Sequence, residues 1–138
     1  MNKNKIIIAG GSGFLGQALS RHFGALEWEV VILTRRPGTA IPHARQVPWD
    51  GESIGEWTRE LEGAAALINL SGRSVDCRYT SANRRIIVDS RVKPTRILGE
   101  AIARCERPPR VWLNASSATI YRHTFDLSLI HISEPTRP

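Results

Sequence analysis

The chain has 138 residues, 41% hydrophobic and 23% charged, which suits one domain with a real core and excludes a disordered chain. Nineteen Lys and Arg against thirteen Asp and Glu give a formal net charge of +6. The basic residues are scattered, and the pairs Arg35-Arg36 and Arg84-Arg85 lack interleaved aromatics, so nucleic acid is not the expected partner. Cys77, Cys105 and four dispersed histidines make no metal-ligand spacing, and no apolar run has the length of a membrane span or a signal-peptide core. Free thiols in a reducing, cytoplasmic setting are therefore expected.

In chain order, the first element is an apolar run, Ile6 to Ala9, closed by a glycine turn with Gly10, Gly13 and Gly16 at three-residue spacing. A buried parallel strand feeding a helix has this form. Gly10 makes the tight turn, Gly13 lets main chain approach a pyrophosphate, and Gly16 lets the helix lie close to the strand. The helix N-terminus presents free N–H groups and the positive end of its dipole to phosphate. That helix is predicted over 13–25, with Leu15, Ala18, Leu19, His22, Phe23 and Leu26 on the face that covers the sheet.

Glu27 to Leu33 reads as the second strand, continuous in Val30, Val31, Ile32 and Leu33 and so buried on both faces. It ends at Thr34-Arg35-Arg36-Pro37-Gly38. An acidic residue about 20 positions beyond the glycines would bind a ribose 2′-hydroxyl, whereas arginine accommodates a 2′-phosphate. Arg35 stands at that distance with no carboxylate at the strand end, so spacing and charge favour NADP(H) over NAD. Ala44 to Val47 is a short third strand. Asp50, in the PWDG turn, either meets an adenine amino group or shapes the turn, and the turn is preferred. Glu56 to Leu61 is a short helix with Trp57 and Leu61 facing inward.

The fourth strand, Ala64 to Leu70, ends in Asn69-Leu70-Ser71-Gly72, small enough at its end for a nucleotide to come close. A long helix is predicted over 81–105, kinked or broken at Pro94. Val111 to Ala115 is strand five, followed by Ser116-Ser117-Ala118-Thr119-Ile120-Tyr121. Strands and helices alternating in this way imply an α/β, doubly wound parallel sheet of order 3-2-1-4-5. Its loops at Gly10, Arg35, Asn69 and Ser117 share the carboxyl edge.

Together, GGSGFLG, TRRP, INLSGRSVDCRYT, NRRIIVDSRVKPTRILGEAI and WLNASSATIY resemble the extended short-chain dehydrogenase/reductase superfamily. The similarity is to its NAD-dependent epimerase/dehydratase branch and runs from about Lys3 to Tyr121. The resemblance implies a Rossmann-type sheet that binds NAD(P). It makes Gly10, Gly13 and Gly16, with Ser12, Phe14 and Leu15 between them, the pyrophosphate loop. Arg35 becomes the 2′-phosphate contact, assisted by Arg36. Asn69, Leu70, Ser71 and Gly72 would line the ribose and nicotinamide side, and Ser117 matches the serine that hydrogen-bonds a substrate oxygen. The family's YxxxK pair, a tyrosine acid/base with a lysine that lowers its pKa, has no match in this chain, and Tyr121 is not its tyrosine.

After Tyr121 the resemblance stops, and LSLIHISEPTR, Leu127 to Arg137, resembles the translation of a transposase sequencing adapter. Residues 1–122 are accordingly expected to form an incomplete NAD(P)-binding domain, truncated after strand five, and 123–138 a non-native or disordered tail. Such a piece is expected to be inactive alone and marginally stable, with an open sheet edge. The leading expectation is thus the NADP(H)-binding part of an epimerase/dehydratase-like oxidoreductase acting on a small molecule. The alternative is a non-catalytic dinucleotide-binding redox sensor or regulator. Neither substrate nor oligomeric state is legible.

Overall fold

The computed structural model describes residues 3–116. Five strands, β1 (Lys5–Ala9), β2 (Glu29–Thr34), β3 (Ala44–Pro48), β4 (Ala66–Asn69) and β5 (Val111–Asn114), form one sheet of order β3-β2-β1-β4-β5. Every neighbouring pair is parallel, with Ile7 of β1 between Val31 of β2 and Leu67 of β4. Helix α1 (Phe14–Ala25) joins β1 to β2, and helix α2 (Ser81–Ala103) joins β4 to β5.

Parallel strands need crossovers that cover both sheet faces, which is why the central strands are continuously apolar. Ile7, Val31, Leu33 and Leu67 pack on one face against Trp49, Trp57, Leu61, Ile97, Leu98 and Ala101. Ile6, Ile8, Val30 and Ile32 pack on the other, with Leu19, Phe23 and Trp28 half-buried over them. Each such aliphatic side chain contributes on the order of 1.5–3 kcal/mol on burial. Trp49 and Trp57 meet edge to face at 5.7 Å in the first of these cores.

The element order agrees with the sequence reading, and several details do not. Strand β2 starts at Glu29, because Glu27 takes a left-handed backbone (φ 60°) in the turn that closes α1. The Glu56–Leu61 segment is a 3-10 helix, with Trp57 and Leu61 buried as expected. Helix α2 is not broken at Pro94: it runs unbroken through it, with the proline ring buried beside Gly51. Its N-terminal half stands off the sheet, leaving Ile86 exposed, while Ile97, Leu98 and Ala101 carry the packing.

The largest correction concerns α1. Leu15, Ala18, His22 and Leu26 are exposed; the residues buried beneath the helix are Gly16 and Ser20, flanked by Leu19 and Phe23. Small residues let α1 approach the glycine turn. The hydroxyl of Ser20 can be buried there because it donates to Gly16 O at 2.8 Å, within its own helix.

Candidate functional site

The carboxyl edge of the sheet is continued past the strands by a row of main-chain bonds. Trp49 N donates to Thr34 O, Gly10 N to Leu33 O, Leu70 N to Ala9 O, and Ala115 N to Asn69 O, at 2.9–3.0 Å. The strand exits at Gly10, Arg35 and Asn69 are thereby locked side by side. Ser117, the fourth residue assigned to this edge, lies outside the described residues.

The glycine turn divides its work among four residues rather than three. Gly10 has φ +69°, and a Cβ there would lie 3.0 Å from Ser71 Cα. A Cβ on Gly16 would lie 2.0 Å from Gly11 O, and one on Gly11 would lie 2.8 Å from Ile8 Cγ2. Gly16 therefore serves the contact between α1 and the turn rather than the contact with β1. Gly11, which the triplet spacing did not single out, is as crowded as its neighbours. Gly13 is the exception: nothing lies within 4 Å of a Cβ placed there. It is the N-cap of α1, has extended backbone, and offers no side-chain cap; the first turn contains no carboxylate. The first N–H groups of α1 thus point out of the helix without a capping side chain, and the dipole end is not neutralised, so an anion is favoured there. Ser12 is exposed, its carbonyl taking Gln17 Nε2 at 3.0 Å, and Phe14 and Leu15 stand exposed around the same opening.

Beyond the ends of β2 and β3 lies a cleft of about 430 Å³ lined by Arg35, Trp49, Asp50, Ser53, Glu56 and Trp57. Arg35 and Arg36 are exposed and absent from the ion pairs of the described residues. Trp49 is 5% exposed, and its Nε1 has no partner among the described residues. Asp50 shapes the turn: its Oδ1 accepts from Glu52 N at 2.8 Å and Ser53 N at 2.9 Å, and its Oδ2 accepts from Ser53 Oγ. The Ser53 hydroxyl first, and then those amides, hold its carboxyl below the usual range.

At the exit of β4, Asn69 is 4% exposed. Its Nδ2 donates to Asn114 Oδ1 at 3.0 Å and Thr95 Oγ1 at 3.2 Å, while its Oδ1 accepts from Ser71 N at 3.0 Å. Both of its amide hydrogens and its carbonyl oxygen are thus engaged within the protein, which fixes the loop that follows. Leu70 is half-buried and Gly72 exposed. Ser71 Oγ, next to Gly10, is a buried polar atom without a partner among the described residues. The glycine turn, the uncapped helix end and this orphaned hydroxyl together fit a phosphate-bearing ligand laid across β1.

Compared with known proteins, residues 6–136 match the family model described as NAD dependent epimerase/dehydratase family. The chain belongs to that family. Among curated relatives, it is 28% identical over 121 residues to the epimerase family protein SDR39U1 of Bos taurus, covering 86% of this chain and 38% of that protein. It is 32% identical over 126 residues to an epimerase family protein of Mycobacterium leprae, covering 90% of this chain and 39% of that protein. The chain thus spans under two-fifths of the length of these relatives. Among solved structures, human SDR39U1 (isoform 2) with NADPH superposes with a TM-score of 0.70 at 27% identity, covering 87% of this chain and 39% of that one. MoeE5 in complex with UDP-glucuronic acid and NAD shares the fold, with a TM-score of 0.70 at 21% identity, over 86% of this chain and 38% of that one. In this family member the described residues include no helix long and apolar enough to cross a membrane.

Proposed function

We propose that this chain is the NADP(H)-binding part of an epimerase/dehydratase-like oxidoreductase. The observation that carries the reading is the uncapped N-terminus of α1, opening at Gly13 on the same sheet edge as Arg35. That human SDR39U1 was solved with NADPH supports a dinucleotide as the ligand. When bound, such a cofactor supplies hydride transfer at its nicotinamide.

The chain's own residues bind and orient. Main-chain N–H groups around Gly11 to Gly16 take the pyrophosphate, with Ser12, Phe14 and Leu15 forming its rim. Arg35, with Arg36 beside it, takes the 2′-phosphate, since a guanidinium matches phosphate oxygens two at a time. Leu70, Ser71 and Gly72 border the ribose and nicotinamide end, with Asn69 fixing their path. Ser117 is assigned the hydrogen bond to a substrate oxygen; no YxxxK pair occurs in these 138 residues.

Fluorescence titration with NADPH and NADH tests the reading. The protein is expected to bind NADPH more tightly. Arg35→Asp, which replaces attraction by repulsion, is expected to weaken NADPH at least about tenfold and to leave NADH nearly unchanged. Equal loss for both would reject the 2′-phosphate role; binding of neither would reject the dinucleotide. In the full-length parent, binding together with turnover of a carbonyl or sugar nucleotide supports the oxidoreductase, and binding without turnover supports a sensor module.

A further inference from the structure

We propose that Ser90 and Arg91 of α2 are positioning residues of the dinucleotide site, acting through the exit of β4; the inference rests on the NADP(H) reading above. The Ser90 hydroxyl donates to Ile87 O at 2.7 Å, within its own helix. That bond fixes the hydroxyl hydrogen and leaves a lone pair for the Arg73 amide, which donates to Ser90 Oγ at 2.9 Å. One position along, Arg91 donates through its NH2 to Arg73 O at 3.2 Å and through its NH1 to Ile87 O at 3.3 Å. Both main-chain polar groups of Arg73 are thus held by two consecutive residues of α2. The Arg91 guanidinium also lies against Gly72, where a Cβ would come within 3.0 Å of Cζ.

This latch reaches the glycine turn in one step. Ser71 touches Gly10 closely enough that a Cβ on Gly10 would lie 3.0–3.1 Å from Ser71 Cα, N and Oγ. Asn69 fixes the upstream end of the same loop through Ser71 N. The path from Asn69 to Arg73 is therefore pinned at both ends, by β4 before it and by α2 after it. Releasing the α2 end frees Ser71 and Gly72 to close over Gly10 or to draw away from it. Either movement changes the gap between the exits of β1 and β4, across which the dinucleotide is laid.

The test measures affinity for NADPH and NADH, thermal midpoint and amide exchange at Arg73 in the protein and in Ser90→Ala, Ser90→Thr and Arg91→Met. Ser90→Ala is expected to speed exchange at Arg73 and to weaken both dinucleotides by the same factor, roughly fivefold, the size of one net hydrogen bond. The thermal midpoint should fall by no more than a few degrees, because the position is only half-buried. Ser90→Thr keeps the hydroxyl and should restore affinity. Arg91→Met keeps the stem and should behave as Ser90→Ala does, providing a second reading if the alanine variant folds poorly. Faster exchange at Arg73 with unchanged affinity would overturn the inference alone, as would a loss of affinity that only follows a loss of folded protein. Selective loss of NADPH would also overturn it, since that is the signature of Arg35. Failure of the unsubstituted protein to bind either dinucleotide would overturn the NADP(H) reading and this inference with it.

Discussion

Replacing Gly16 by alanine separates two demands that the glycine turn places on its residues. The new methyl carbon would lie 2.0 Å from Gly11 O and 2.3 Å from Gly11 C and Cα. These are main-chain atoms, so no side-chain rotation relieves the overlap, and α1 or the turn must shift by roughly 1 Å to restore van der Waals contact. Overpacking of this kind costs about 1–3 kcal/mol, with a main-chain clash at the upper end. Alanine's better helix propensity returns about 1 kcal/mol. The net destabilisation is therefore about 2 kcal/mol, a fall of several degrees in thermal midpoint, with dinucleotide affinity lost through the displaced turn. Gly13→Ala is the matched control: with nothing within 4 Å of the new carbon, stability should fall by no more than about 1 kcal/mol, the usual price at an N-cap. Dinucleotide binding should nonetheless suffer, because the methyl group enters the space given to the pyrophosphate. Thermal melts and NADPH titrations of both variants decide the matter. A Gly16→Ala protein with an unchanged midpoint and unchanged affinity would refute the steric argument.

Three further outcomes are expected. Leu61→Ala removes a side chain with 0% exposure beneath the sheet and should cost about 2–5 kcal/mol in urea unfolding; a change under about 1 kcal/mol would mean that this core is not formed. Asn69→Ala strips the partner from Ser71 N and removes the donor to Asn114 Oδ1, while Thr95 keeps its bond to Arg91 O, for a loss of about 1–3 kcal/mol, and should accelerate amide exchange at Ser71. Acid should destabilise the fold through Asp50 and Glu60. Asp50 is lowered by the Ser53 hydroxyl and nearby amides, and Glu60 chiefly by its bond to Arg45, each from ordinary values of 3.8 and 4.5. Their stabilisation is present above those ordinary values and is lost as pH falls through the lower folded ones. The urea midpoint should therefore drop on going from pH 5 to pH 2, and Glu60→Gln should make that drop shallower; an equal drop in the variant would remove Glu60 from the account.

Strand order was legible because Ile6 to Ala9 and Val30 to Leu33 are continuous apolar runs, the pattern of strands buried on both faces. Glycine spacing located the turn for the same reason: only glycine tolerates main chain packed as closely as Gly10, Gly11 and Gly16 are. The buried face of α1 departs from the hydrophobic pattern. Where a helix must approach a turn closely, small residues such as Gly16 and Ser20 go inward, and Leu15 and Leu26 are left outside. Local sterics at Pro94 predict a kink or break and miss the contact with Gly51 that accompanies its burial in an unbroken helix. The Ser90–Arg73 and Asn69–Asn114 bonds join residues far apart in sequence, and no local period signals such pairings. Arg35 was legible as a charge at a strand end. Its place beside Trp49 and Trp57 depends on how β3 and the 3-10 helix fold back, which the sequence does not display.

The most direct test of the account is the change in backbone amide resonances when NADPH is added to the protein. The largest shifts are expected at Gly11, Ser12 and Gly13, with a second group at Arg35 and Arg36 that is much weaker when NADH is used instead. Shifts confined to the exposed Arg84 and Arg85 of α2, with the glycine turn unmoved, would contradict the assignment of this sheet edge to a dinucleotide.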